Sequence, residues 1–221
     1  MEKQLQLRRD RLNAGEKSIG WKVGFGSPAA MERLHLDAPL IGFLTDKTIL
    51  PSGTKLSVAN WTRPAIEPEI AVYIEKDLLG KTDRQTASSS IASVGPAIEL
   101  ADVFFPPDDV EMILASNIYN RHVILGRADA SRTGGILNDL VGRIYRNGNE
   151  IAKTTDLQAL TGDIIDIVCH IAGLLSAMGE RLQAGEAIIM GSIISPIWIE
   201  STGGVQYTLD PIGSLSVDIE V

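Results

Sequence analysis

Apolar and polar residues alternate from Ala65 to Ile74 in the way that is typical of a half-buried β-strand. Isoleucine, proline and valine take every second position, which predicts one face that packs into a core. Glu67 and Glu69 fall on the opposite face, two residues apart, so their carboxylates point the same way. A second apolar run, Val94 to Ala101, carries a single charge at Glu99 where a core strand is expected.

Three glutamates in two strand-like runs suggest a metal site. Neighbouring carboxylates repel each other, and burying them costs several kcal/mol unless a counter-charge compensates. Divalent cations that prefer oxygen ligands supply that compensation, so Glu67, Glu69 and Glu99 predict a Mg²⁺ or Mn²⁺ site. The pattern also fits the solvent face of an amphipathic strand, and the sequence leaves both interpretations open.

Periodicity predicts further elements on both sides of these strands. Apolar residues from Ile164 to Met178 recur at helical spacing, and the predicted core helix extends over 164–181. Asn147-Gly148 between two β-like runs predicts a hairpin over 143–151. The other predicted elements are an N-terminal helix that ends near Gly15, strands over 19–23, 41–45, 187–190, 196–200, 206–209 and 215–219, and helices that begin at Ser27-Pro28 and Pro107-Asp108-Asp109.

Runs of strands broken by a few helices, without regular strand–helix alternation, predict an α+β fold. No repeat, linker or low-complexity segment divides the chain. We therefore expect one catalytic domain over residues 1–221, with residues 1–60 forming a smaller N-terminal part.

Composition excludes several classes of protein. The 221 residues carry a net charge of −8, which argues against a nucleic-acid partner and against an anionic membrane surface. The single Cys169 allows no internal disulfide and fits a reducing cytoplasm. The charged start of the chain lacks the apolar region of a signal peptide, so we expect a cytoplasmic protein.

Other motifs compete with the carboxylates. Gly24, Gly26 and Ala29 match the spacing of a dinucleotide-binding fingerprint, but the predicted helix is short and the later chain lacks strand–helix alternation. Nicotinamide binding remains an alternative. The three histidines are not spaced for zinc, and Ser192 lacks the surroundings of a nucleophile elbow.

Lys22 lies between Gly20 and Gly24 and next to Trp21. Glycines allow close approach of the backbone, and a buried lysine can act as an acid, a base or an anion clamp. A surface lysine with a partly covered stem would fit the same local sequence.

Taken in order, these segments resemble the fumarylacetoacetate hydrolase superfamily, and within it the branch of 2-oxopent-4-enoate hydratases and 4-oxalocrotonate decarboxylases. The resemblance extends from Gly20 to the C-terminus, and the ordered set is more specific than any one motif. The matching segments are Gly20-Trp21-Lys22-Val23-Gly24, Gly42-Phe43-Leu44-Thr45-Asp46, Glu67-Pro68-Glu69, Ala97-Ile98-Glu99-Leu100-Ala101-Asp102, Val123-Ile124-Leu125-Gly126, Ala184-Gly185-Glu186, Gly191-Ser192 and Gly213-Ser214-Leu215-Ser216-Val217.

The resemblance implies a mixed β-roll of the type found in the C-terminal domain of that superfamily, with Mg²⁺ or Mn²⁺ on the three glutamates. It implies a 2-oxo or 2-hydroxydienoic acid of aromatic catabolism as the substrate, and an enolate stabilised by the metal. Lys22 and Asp46 match the positions expected to handle protons. Ser116, Asn117 and Ser192 are the residues expected to bind the substrate.

The resemblance leaves the reaction open. Hydration of a dienoic acid and decarboxylation of a 2-oxo diacid need the same electron sink, and a non-catalytic partner subunit would keep the same fold. Cleavage of acylpyruvates is disfavoured, because residues 31–37 lack the His-x-x-Glu spacing of the hydrolase branch. Exposed strand edges and the habit of the family predict a homo-oligomer.

Two departures from the family pattern concern the site. The helical segment before the Lys22 motif is shorter than is usual in this branch. Residues 116–120 replace an Asp-Asn-Ala-Ser-like run, so Tyr119 or Arg121 could change which substrate fits.

Overall fold

Helices and strands alternate irregularly along the protein, whose computed structural model describes all residues from Met1 to Val221. The helices are α1 (Glu2–Asn13), α2 (Pro28–Leu34), α3 (Arg84–Ser90), α4 (Val110–Ala115) and α5 (Ile164–Ala177). The strands are β1 (Ser18–Gly24), β2 (Leu40–Thr45), β3 (Thr54–Ser57), β4 (Pro64–Ile74), β5 (Ile91–Asp102), β6 (Asn120–Leu125), β7 (Val141–Arg146), β8 (Asn149–Thr154), β9 (Ala187–Ser192), β10 (Ile197–Trp198), β11 (Gly203–Asp210) and β12 (Gly213–Glu220). Short 3₁₀ turns cover Asp46–Thr48 and Ala130–Arg132.

Two sheets organise these strands. The first has the order β2-β1-β9-β4-β5-β6, with β10 paired to β4, and the second has the order β3-β12-β11-β7-β8. Most neighbours are antiparallel, but β1 and β9 are parallel, as are β3 and β12. The two long strands β4 and β5 pair along their whole length. They lie inside the first sheet, between β9 on one side and β6 on the other.

The main core contains apolar side chains from both sheets and from α5. Ile66 and Ile70 of β4 point into this core, as the alternation predicts, and so do Ile98 and Leu100 of β5. Because side chains alternate along a strand, Glu67, Glu69 and Glu99 must leave the sheet on its other face.

The predicted elements are largely confirmed, and the differences have local causes. The hairpin with the Asn147-Gly148 turn is present as β7 and β8. The predicted helix over 164–181 is too long, because Met178 caps α5 and Gly179 adopts a φ of 75° that ends the helix. Only two residues of the predicted strand over 196–200 pair with β4.

Residues 1–60, predicted to form a smaller N-terminal part of the domain, pair with strands of both sheets. They contribute β1 and β2 to the first sheet and β3 to the second, so their backbone hydrogen bonds go to strands from the rest of the chain.

The dinucleotide-binding interpretation is wrong. Strands β1 and β2, on either side of α2, are antiparallel, whereas that motif needs a crossover between parallel strands.

No helix of the protein is both long enough and apolar enough to cross a lipid bilayer.

Strands β1 and β9 pack closely against each other at one glycine. At Gly20, where φ is +143°, a Cβ atom would lie 1.8 Å from the carbonyl oxygen of Ala187 in β9.

The substitution Gly20→Ala should therefore be strongly destabilising. The added methyl collides with the backbone of β9, and the positive φ disfavours any side chain. We expect a loss of more than about 3 kcal/mol in the free energy of unfolding, measured by urea denaturation. Gly173→Ala is the matched control: it adds the same methyl inside α5 with no atom within 4 Å, and should stabilise by about 0.5–1 kcal/mol. Equal effects of the two substitutions would contradict the close packing of β1 on β9.

Candidate active site

The register of β4 and β5 brings the three glutamates together. Glu67 lies directly opposite Glu99 across the antiparallel pair, and Glu69 follows on the same face of β4. One carboxylate oxygen from each residue lies within 4.8 Å of the others. The three carboxylates thus have the arrangement that the alternation of the sequence predicts for ligands of one shared cation.

The carboxylates are unusually placed for charged groups. Glu69 and Glu99 are completely buried, and Glu67 is half-buried. Glu69 Oε1 and Glu99 Oε2 are buried without any hydrogen-bond partner. A protein seldom leaves such atoms unpaired, because each costs about 1–3 kcal/mol or more. A divalent cation that prefers oxygen ligands would give both of these unpaired oxygens a partner.

A bulge in β9 orients the carboxylate of Glu69. The pairing of β9 with β4 shifts between Glu69 and Ala71, and Gly191 in that interval has a φ of +90°. The backbone N–H of Gly191 donates to Glu69 Oε2 at 2.7 Å, which leaves Oε1 free. Bulges are frequent beside active sites because they redirect backbone groups in this way.

Lys22 of β1 is the buried counter-charge. Its ammonium donates to Glu99 Oε1 and to the carbonyl of Ile118, the latter at 3.1 Å. Asn120 Nδ2 donates to the same Glu99 oxygen at 2.7 Å. Gly42, opposite Lys22 on β2, leaves room for the lysine, since a Cβ there would lie 2.7 Å from its Cγ.

The carbonyl that accepts from Lys22 belongs to a left-handed turn. Asn117, Ile118 and Tyr119 have φ values of 55°, 53° and 60°. Residues other than glycine rarely adopt such positive φ values. The amide of Asn117 binds the backbone of Phe43 through both of its polar atoms, at 2.9 and 2.8 Å, and keeps the turn in place. Strain of this kind often marks functional sites.

Burial raises the pKa of Glu67 to about 7 from its ordinary 4.5; the charge of Glu99 adds to the rise and Lys22 opposes it. The pKa of Glu69 is raised well above its ordinary value, first by burial and then by the charges of Glu99 and Glu67. Protons therefore occupy part of the site near neutral pH when no cation is present, and a cation must displace them to bind.

A cavity of about 460 Å³ opens beside the carboxylates. Lys22, Glu67, Gly191 and Ser192 lie in its wall close to the carboxylates, and its remaining wall is mostly apolar. The other lining residues include Phe25, Arg33, Arg63, Val103, Ile118, Tyr119, Thr161, Met190, Ile194 and Trp198. The volume suits a small organic acid.

The structure brings together most of the predicted site residues and separates three of them. Lys22, Ser192 and the three glutamates surround or line the cavity. Asp46 does not join them: it is exposed, and its Oδ1 accepts a hydrogen bond from the backbone N–H of Lys17 at 2.8 Å. Asp46 does not line the cavity.

Ser116 and Asn117 also lie outside the cavity wall. The hydroxyl of Ser116 donates to the carbonyl of Ile113 at the end of α4. Asn117 uses its amide on Phe43, so it stabilises the turn and cannot also bind substrate. Both expectations of substrate binding are corrected in this way.

Sequence reasoning missed other members of the site. Asn120 on Glu99 and the N–H of Gly191 on Glu69 are contacts between elements far apart in the chain. Arg33 and Arg63, which line the cavity, gave no motif at all. Of these residues, only Asn120 could have been noticed in the sequence, because the run at 117–120 contains two asparagines.

No protein-family model matches the chain. Among curated proteins, a 4-oxalocrotonate decarboxylase from Pseudomonas putida is 26% identical over 216 residues, which cover 96% of this chain and 81% of that protein. A 2-keto-4-pentenoate hydratase from Burkholderia vietnamiensis is 24% identical over 216 residues, with coverages of 95% and 81%.

A solved structure agrees with these similarities. The 4-oxalocrotonate decarboxylase from Pseudomonas putida G7, complexed with magnesium and adipate, superposes with a TM-score of 0.88 at 26% identity, covering 98% of this chain and 83% of that one. These similarities support the resemblance to the hydratase and decarboxylase branch of the fumarylacetoacetate hydrolase superfamily, and the fold is the expected mixed β-roll.

If the three glutamates bind Mg²⁺, the metal should stabilise the protein in a pH-dependent way. Glu67, with a pKa near 7 in the folded protein, is mostly protonated at pH 6, so affinity should be about tenfold lower there than at pH 8 from this group alone. The melting temperature should rise with Mg²⁺ at pH 8, and clearly less at pH 6.

The variant Glu69→Gln should lose this thermal shift, because it removes a charged ligand while keeping the side-chain shape. Glu75→Gln, at an exposed glutamate just beyond the end of β4, is the control and should behave as the wild type. A shift that survives in Glu69→Gln, or one that does not depend on pH, would contradict a metal site at this position.

Proposed function

We propose that this member of the superfamily is a divalent-metal-dependent lyase that hydrates 2-hydroxydienoic acids, or the corresponding 2-oxo acids, of aromatic catabolism. The observation that carries the proposal is the meeting of Glu67, Glu69 and Glu99 with Lys22 at one small cavity. Relatives named as 2-keto-4-pentenoate hydratase and 2-hydroxyhexa-2,4-dienoate hydratase support the reaction class.

The charges of the site suit an acidic substrate. Three ionised carboxylates and one ammonium leave two negative charges, which Mg²⁺ or Mn²⁺ would neutralise. A carboxylate can then enter without meeting net negative charge. When bound by the three glutamates, the cation supplies a Lewis acid that stabilises negative charge developing on the 2-oxygen of the substrate.

Lys22 is the residue placed to move protons. Two of its three ammonium hydrogens are used on Glu99 and on the carbonyl of Ile118, and its side chain lines the cavity. The third hydrogen remains for the substrate. In the dienol-to-keto step, the 2-hydroxyl loses a proton and a chain carbon gains one, and we assign this transfer to the Nζ of Lys22.

The other residues of the cavity position the acid and limit water. Ser192 offers a hydroxyl beside Glu69, its opposite neighbour across the β4–β9 pair. Ile118, Met190 and Tyr119 provide an apolar wall for a hydrocarbon chain. Such a wall strengthens electrostatic interactions at the carboxylates by keeping the local dielectric low.

Decarboxylation of a 2-oxo diacid is the second candidate. It is favoured by the similarity to the 4-oxalocrotonate decarboxylase, whose structure superposes over nearly the whole chain. The carboxylate end of the site would serve both reactions in the same way, since each develops negative charge on the same oxygen.

We further infer that the protein works in the cytoplasm as a homo-oligomer. The lone Cys169 supports a reducing compartment. Strands β2, β6, β3 and β8 form the ends of the two sheets, and β8 is largely exposed. Unprotected edges of this kind favour association with another copy.

The proposed reaction is tested with 2-hydroxypenta-2,4-dienoate and Mg²⁺, by following the loss of dienol absorbance. Lys22→Met should lower kcat by about 10²–10⁴-fold, because it removes the proton carrier but keeps the bulk of the side chain. The Mg²⁺-dependent thermal shift should persist in this variant, which would show that the site still forms.

Lys55→Met is the matched control. Lys55 is an exposed lysine of β3 in the second sheet, and its loss should leave kcat unchanged. Full activity of Lys22→Met would overturn the assigned role. Absence of turnover with any 2-oxo acid, together with copurification of a related chain, would favour a non-catalytic partner subunit instead.

A further inference from the structure

Asn120, the first residue of β6, is a buried amide beside the three glutamates. Its Nδ2 donates to Glu99 Oε1 at 2.7 Å, whereas its Oδ1 is buried without a hydrogen-bond partner. Six buried side-chain atoms of the protein lack a partner, and three of them belong to Glu69, Glu99 and Asn120. A cation would account for the two carboxylate oxygens, so the amide oxygen needs a separate explanation.

Glu99 fixes which way the Asn120 amide points. An ionised carboxylate only accepts hydrogen bonds, so the group that faces it must be the amide NH₂. In the reverse orientation, Asn120 Oδ1 would face Glu99 Oε1, and two acceptors would repel each other. The same hydrogen bond therefore directs Oδ1 to a place without a donor, at a cost of about 1–3 kcal/mol.

This arrangement is not what stability alone would favour. The substitution Asn120→Leu would keep nearly the same shape and leave no unpaired amide oxygen. Glu99 Oε1 would still accept from the ammonium of Lys22, so its burial does not require a second donor. The asparagine must therefore do something for Glu99 beyond satisfying its oxygen.

The second donor gives the carboxylate of Glu99 a fixed direction. The last torsion of a glutamate side chain is broad, so covalent geometry does not orient its carboxylate. Lys22 reaches Oε1 from β1 and Asn120 reaches it from β6, and two donors from different strands hold the group against rotation. Oε2 then remains the oxygen available to a cation. Glu69 is arranged in the same way, with Oε2 held by the N–H of Gly191 and Oε1 free.

Of the two donors, only the amide keeps its hydrogens throughout a reaction that moves protons. In the proposed function Lys22 gives up and regains a proton, and without its charge it binds a carboxylate more weakly. An amide does not titrate, so the hydrogen bond from Asn120 persists at every stage.

We propose that Asn120 is a positioning residue for the metal ligand Glu99: its amide keeps Glu99 Oε2 directed toward the cation whether Lys22 is protonated or not. The part that concerns Lys22 rests on the proposed function. The part that concerns cation binding rests only on the three glutamates, and it can be tested without any substrate.

Binding of Mn²⁺ to the metal-free protein at pH 8, followed by the EPR signal of the free ion, tests this role. Asn120→Leu should weaken the affinity for Mn²⁺ about 10–100-fold, as is typical when the partner of a metal ligand is removed. The melting temperature without metal should stay close to that of the wild type, because the unpaired Oδ1 is removed as well. A purely structural role predicts the reverse, a lower melting temperature with unchanged Mn²⁺ affinity, and that result would overturn the proposal.

Two further variants complete the comparison. Asn120→Ala removes the same donor without adding bulk and should show the same loss of affinity, so it decides the question if Asn120→Leu does not fold. Wild-type affinity in Asn120→Ala would also overturn the proposal. Asn149→Leu is the matched control and should bind Mn²⁺ as the wild type does, since Asn149 is an exposed asparagine of β8 in the second sheet.

A double-mutant cycle with Lys22→Met tests whether Asn120 acts when Lys22 cannot. Lys22→Met also removes a positive charge beside the cation, but the cycle cancels that effect because it is present in both arms. If Asn120 holds Glu99 in the absence of the ammonium, the double variant should lose more Mn²⁺ affinity than the two single losses combined. Losses that merely add would overturn this part of the proposal.

These outcomes are distinct from those that test the proposed function. Absence of turnover with a dienoic acid would leave the role of Asn120 in cation binding unaffected. If the wild type does not bind Mn²⁺, the metal site fails, and the proposed function and the role of Asn120 fail with it.

Discussion

Repulsion among three neighbouring carboxylates, two of them completely buried, is the constraint around which this site is built. Glu67, Glu69 and Glu99 share one face of the β4–β5 pair, and the protein offsets their charge only in part. Lys22 and Asn120 satisfy one oxygen of Glu99, and the N–H of Gly191 satisfies one of Glu69. Two oxygens remain buried and unpaired. A fold that used these glutamates only for stability would gain by replacing them, because unpaired buried charges cost several kcal/mol.

The backbone around the carboxylates is distorted in two places, and both distortions serve the same constraint. The bulge at Gly191 directs an N–H toward Glu69, and the left-handed turn at 117–119 directs the carbonyl of Ile118 toward Lys22. Each non-glycine residue of that turn costs about 1–3 kcal/mol in this conformation, whereas Gly191 adopts its positive φ without such a cost. The amide of Asn117, bound to the backbone of Phe43 on both sides, helps to offset that cost. Asn117 thus helps to position the site although it does not line the cavity.

Sequence patterns predicted the parts of the fold and site that depend on local geometry. Alternation along β4 placed Glu67 and Glu69 on one face, and the Asn147-Gly148 pair predicted its hairpin, because both follow from backbone periodicity. Contacts between segments far apart in the chain could not be predicted from these local patterns. Nothing local shows that the Asn117 amide is used on Phe43, or that Asp46 lies at the end of β2 remote from Lys22.

The carboxylates and Lys22 occupy one part of a cavity whose remaining wall is mostly apolar. The end with the glutamates and Lys22 fits the features common to all 2-oxo acids, so it cannot by itself select among them. Discrimination must come from the rest of the cavity wall, which is mostly apolar. Such a wall around the carbon chain of the acid controls how much water reaches it, and so would influence whether the bound acid is hydrated or loses carbon dioxide.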